Sequence, residues 1–108
     1  MASSADILPI ATFTRSVFAD VGQLKPPDRS IDDIVYRPHA FGADWTLDER
    51  RPGEARRSVF VWQQGDVVFV TRRVGTNPVG GQETVRRDRD GVAGVAKLVA
   101  WIWDGGDF

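Results

Sequence analysis

The sequence predicts a small two-layer α+β domain: an N-terminal helix, a three- to four-stranded antiparallel sheet around a central hairpin, and a C-terminal helix. Three observations predict it. Phe13, Val17 and Val21 recur at helical spacing early in the chain. RRSVFVWQQGDVVFVTRR, residues 56–73, is two apolar runs joined by a short polar turn, as a hairpin requires. GVAGVAKLVAWIW, residues 91–103, is apolar at i, i+3, i+4 and i+7 and is followed by Gly105-Gly106.

Residues 1–5 are expected to be a loose tail. The first helix is expected over residues 12–22, with Thr12 or Thr14 as cap, Gly22 at its end and Leu24 extending its apolar stripe. Pro9 keeps the preceding residues outside it or at its first turn. LKPPDRS, residues 24–30, is a stiff connector. SIDDIVY then has two readings, a helical turn begun by Ser30 and Asp33 that ends by Arg37 because Pro38 follows, or an extended segment over IVY. DWTLDE, residues 44–49, alternates Trp45 and Leu47 with polar neighbours and reads as a strand, and Pro52-Gly53 is a turn.

In the hairpin, a loop of Gln64-Gly65 sets Phe60 opposite Phe69 and Arg57 opposite Arg72. One face then carries Phe60, Trp62, Val67 and Phe69, and the other Val59, Val61, Val68 and Val70. Both faces are apolar, so the hairpin is expected in mid-sheet, covered on both sides. GTNPVGGQ, residues 75–82, is expected to be a flexible loop, and ETVRR an edge strand. Asp88 or Asp90 caps the last helix, residues 91–104.

Composition bounds the functional classes. The 108 residues are 42% hydrophobic and 27% charged, as expected for one globular domain spanning 1–108. The absence of cysteine excludes disulfides and thiolate chemistry within the chain. No apolar run is long enough to cross a bilayer, and MASSADILPIATF lacks the basic start of a secretory signal, so a cytoplasmic protein is expected. The net charge of −1 is uneven: residues 1–49 carry −4, residues 50–89 carry +5 and residues 90–108 carry −2.

The candidate residues follow from these patterns. Leu98 and Trp101 form a second stripe on the last helix. Either the helix is wedged between sheet and first helix and buried nearly all round, or the stripe is a docking patch. Arg56, Arg57, Arg72, Arg73, Arg86 and Arg87 are neutralised by the chain's own acids, by phosphate or by an acidic partner. His39 is the only histidine, and no nucleophile-elbow sequence accompanies it. Asp28, Ser30 and Asp32 have the spacing of a calcium loop, but Asp33 and His39 stand where that loop needs glycine and glutamate. GTNPVGG lacks the lysine of a phosphate-binding loop. No catalytic residue, cofactor or metal is assigned.

The leading expectation is therefore a non-enzymatic protein-interaction or assembly module, either an adaptor, an inhibitor or a homo-oligomeric subunit. Leu98 and Trp101 would supply apolar contact and the six arginines a charged rim. The alternatives are a nucleic-acid-binding protein acting through the arginines of residues 50–89, and a small hydrolase using His39.

Overall fold

Two glycine-led turns set the register of the sheet. The computed structural model describes residues 7–29, 34–50 and 52–104. In chain order it contains α1 (Ile10–Leu24), β1 (Val35–Pro38), a 3-10 turn (Ala40–Gly42), β2 (Trp45–Glu49), β3 (Arg57–Gln64), β4 (Val67–Val74), β5 (Asn77–Arg86) and α2 (Arg89–Asp104). The five strands form one antiparallel meander in the order β1-β2-β3-β4-β5. The α+β class is as the sequence predicts, with at least one more strand than expected.

The extra strand is β1, the extended alternative for IVY. The turn between β3 and β4 is Gly65-Asp66 rather than Gln64-Gly65. Gly65 has φ +61 and takes the first loop position, where a type II′ turn needs positive φ. Trp62 therefore pairs with Phe69, Ser58 with Arg73 and Val59 with Arg72. A shift of two residues keeps every side chain on its expected face but changes its partner. Arg57 stands opposite Val74, so the expected Arg57–Arg72 and Arg56–Arg73 pairs do not face each other. Most of GTNPVGGQ is strand rather than loop. Only Gly75-Thr76 turns, and β5 begins at Asn77. Pro78 is tolerated because β5 lies at the sheet edge.

The helices also differ at their ends. α1 starts at Ile10, directly after Pro9, and neither Thr12 nor Thr14 caps it. It runs to Leu24, and Lys25 is extended, as a residue before proline prefers. Asp88 caps α2: its Oδ1 accepts the Gly91 N–H at 3.0 Å. Gly91 has no room for a side chain, since a Cβ there would lie 1.6 Å from the Arg86 carbonyl oxygen.

One core holds these elements together. Trp45, Leu47, Val59, Val61, Val68 and Val70 project from one sheet face onto Val92, Val95, Val99 and Ile102 of α2 and Phe13, Val17 and Val21 of α1. α2 crosses β2 to β5 and packs along α1. Phe18 of α1 reaches the other end of the sheet, its ring 5.6 Å from Tyr36 and 6.2 Å from Trp45. Leu98 and Trp101 belong to the core, at 8% and 2% exposure. The second stripe is thus used inside the molecule, and α2 is the wedged helix.

The cover expected on both sides of the hairpin is found on one. Among the described residues no helix lies over the face carrying Phe60, Trp62, Val67 and Phe69, and the last three are only half-buried. Trp101→Ala is expected to cost about 3–5 kcal/mol, the loss typical of a large core side chain, and Asp88→Ala about 1 kcal/mol, in urea unfolding. A Trp101→Ala loss no larger than that of Asp88→Ala would place Trp101 outside the core.

Candidate functional site

Strand alternation turns a second set of side chains away from the helices. β1 contributes Arg37, β2 contributes Thr46 and Asp48, β3 contributes Ser58, Phe60 and Trp62, and β4 contributes Phe69, Thr71 and Arg73. Asp48 organises one end of this face although it is only 4% exposed. Its Oδ1 accepts a 2.5 Å hydrogen bond from the Ser58 hydroxyl. Its Oδ2 forms an ion pair with Arg37 and lies 3.9 Å from Arg56 Nη1. Burying a carboxylate without such partners is costly.

Aromatic rings continue from the carboxylate. The Arg73 guanidinium lies over Phe60, 5.1 Å from the ring centroid. Phe60 also meets Phe41 at 5.8 Å and stacks on Trp62 at 6.0 Å with 17° between the planes. Arg37 stands over Phe41 at 5.8 Å. Together Arg37, Phe41, Arg56, Phe60, Arg73 and Thr76 line an open cavity of about 380 Å³, with Ser58 at its floor beside Asp48. Farther along the face, Trp62, Gln64, Phe69 and Gln82 line a more open hollow.

The turn that presents Phe41 is strained. His39 and Phe41 have φ of +57 and +54, values that L side chains rarely adopt. Phe41 is 72% exposed all the same. An exposed aromatic side chain held in this backbone region at the mouth of a cavity is the kind of strain found at ligand sites.

The cavity is electrostatically unbalanced. Arg37 and Arg56 share the single carboxylate of Asp48, and Arg73 has no carboxylate partner among the described residues. Three guanidiniums against one carboxylate leave an excess of two positive charges. Arg50 and Glu54 line a neighbouring hollow with Arg56.

The six arginines expected to act together are placed in three locations. Arg56 and Arg73 line the cavity. Arg57 and Arg72 lie on the helix side, their guanidiniums 4.8 and 5.4 Å from the Trp101 ring centroid. Arg86 and Arg87 sit at the opposite end of β4, where the Arg87 N–H donates to the Asp66 carbonyl and Arg86 Nε is 3.5 Å from Asp88. Arg73 and Val67, the partner of Arg86, are six positions apart on β4, which is roughly 20 Å of extended strand. Acids of the first half do meet some of the arginines, since Glu49 pairs with Arg29 at 3.2 Å and Asp20 lies 4.0 Å from Arg89.

No hydrolytic constellation forms among the described residues. His39 is exposed in the turn after β1, and the Ser58 hydroxyl is committed to Asp48. Ser30 and Asp32 of the calcium-like spacing lie outside the described residues, and among those described no three metal-ligating side chains gather. The sequence reading missed Arg37 and Phe41 and counted Asp48 only among the acids, with Glu49, Glu54, Glu83 and Asp88, that could neutralise the arginines. Asp48 had a signal, because its alternation with Thr46 puts it on the face that also carries Ser58 and Phe60.

Comparison with known protein families, with curated proteins and with solved structures finds no match to this chain.

Asp48→Asn keeps the shape of the side chain but removes the charge that Arg37 and Arg56 share. It is expected to cost about 2–3 kcal/mol in urea unfolding, less than a fully buried pair because both arginines are about a third exposed. Ser58→Ala is expected to cost about 1 kcal/mol. Wild-type stability in Asp48→Asn would contradict this arrangement.

Proposed function

We propose that the protein is a non-enzymatic binding module that docks an anionic protein partner on the open face of its sheet. One observation carries the reading: an uncovered sheet face on which a row of aromatic rings meets three guanidiniums, two of which share one carboxylate. Aromatic residues and arginine are the side chains most enriched at the energetic centres of interfaces. The rings supply apolar area, and the charge excess selects an anionic partner and speeds encounter. Leu98 and Trp101 take no part in this reading. The apolar contact passes to Phe41, Phe60, Trp62 and Phe69.

Binding of nucleic acid has one point in its favour, since Trp62 and Phe69 lie on the open face where bases stack. It has two against it. The cations lie at one end of the face, and Arg86 at the other end is already beside Asp88. A nucleic-acid strand carries a phosphate at every nucleotide and needs cations along its length. A cytoplasmic setting belongs to the proposal and agrees with a chain that has no cysteine. No helix of the described residues is long and apolar enough to cross a membrane.

Poly-L-glutamate and poly(dT) at low salt are suitable probes. The wild type is expected to retain polyglutamate, Arg56→Glu/Arg73→Glu to lose that retention, and Arg87→Glu to keep it. Preference for poly(dT), or no binding to either polymer, would overturn the reading. A dimer dissociated by Trp62→Ser would do so as well, by making a second copy the occupant of the face.

A further inference from the structure

The reading of the open face as a docking surface leaves the partner's anionic group unspecified, and the cavity around Asp48 narrows it. We infer that this cavity receives the aryl phosphate of a phosphorylated tyrosine side chain on the partner. The inference rests on the docking reading above and adds the chemistry of the group recognised.

Charge decides between carboxylate and phosphate. Arg37, Arg56 and Arg73 line one cavity and leave two positive charges beyond Asp48. A carboxylate carries one negative charge and is satisfied by a single guanidinium fork. A phosphate monoester carries about −1.5 to −2 at neutral pH and presents three acceptor oxygens. It therefore matches the excess, and arginine matches its geometry bidentately. Donors remain for it, because the exposed Arg73 has no carboxylate partner among the described residues. Asp48 holds Arg37 and Arg56 in place, so the donors are positioned before the ligand arrives.

The walls decide what carries the phosphate. Phe41 and Phe60 line the same cavity as the three arginines, and Phe41 is exposed in a strained turn beside Arg37. A phosphorylated serine would leave those rings without contact. A phenyl phosphate fits within the cavity of about 380 Å³ and can lie against the exposed Phe41 ring. A nucleotide would bring a base with polar edges, and beyond the arginines the lining is Phe41, Ser58, Phe60, Gly75 and Thr76, with the Ser58 hydroxyl already given to Asp48, which leaves too few polar groups to read one. Outward from the cavity, Trp62 and Phe69 continue the apolar surface for residues flanking the tyrosine.

The test is a titration of the full chain, followed by the NMR signals of the arginine Nε–H groups. The probes are a short peptide with one phosphotyrosine, the same peptide unphosphorylated, its phosphoserine counterpart, and adenosine monophosphate. The phosphotyrosine peptide is expected to saturate and to shift Arg37, Arg56 and Arg73 but not Arg87. The unphosphorylated peptide and Arg73→Gln, an exposed position, are each expected to bind at least about tenfold more weakly, the loss of one charge-assisted contact. Arg87→Gln is expected to bind as the wild type does. Equal affinity for the unphosphorylated or phosphoserine peptide, tighter binding of adenosine monophosphate, or no saturable binding would overturn the inference. If polyglutamate is retained while the phosphotyrosine peptide is not, the phosphate assignment fails and the docking reading stands.

Discussion

Everything in this fold depends on how α2 is buried. Val92, Val95, Ala96, Leu98, Val99, Trp101, Ile102 and Trp103 leave it with almost no polar side. Such a helix has to be enclosed. The sheet encloses one side and α1 another. Both helices are thereby used on one face, and among the described residues the opposite face is closed only by its own side chains. Had α1 crossed to that face, the hairpin would be covered on both sides.

The open face is apolar, and its residues manage that in two ways. Rings pack against one another, Phe41 tilted on Phe60 and Phe60 stacked on Trp62, which removes part of each from water. Arginines then lie over the rings, as Arg73 does over Phe60 and as Arg57 and Arg72 do over Trp101 on the helix side. The repulsion among four arginines at one end of a hairpin is met by dividing them between two faces and by sinking Asp48 between Arg37 and Arg56. The same carboxylate that stabilises the face also orients the donors of the cavity.

Much of this was legible in the sequence where one residue pattern dominates. The period of Phe13, Val17 and Val21 marked α1, and the two apolar runs marked β3 and β4 with their side chains on the correct faces. The register was missed because two turn types compete at Gln64-Gly65-Asp66. Glycine in the second loop position suits one type and in the first suits the other, and the fold uses the first. The strand start at Asn77 was hidden by Pro78 and two glycines, residues that an edge strand with a bulge accepts. The cavity was only half legible. Arg56 and Arg73 stood out, but Arg37, Phe41 and Asp48 come from β1, its following turn and β2. Only the pairing of three strands brings them together.

The central claim is that one face of the sheet is covered by both helices and the other is open. Hydroxyl-radical footprinting of the dilute protein, read residue by residue by mass spectrometry, tests it most directly. The account predicts rapid modification of Phe41, Trp62 and Phe69, and protection of Trp45 and Trp101 until the protein unfolds. Protection of Trp62 and Phe69 together with rapid modification of Trp101 would contradict it.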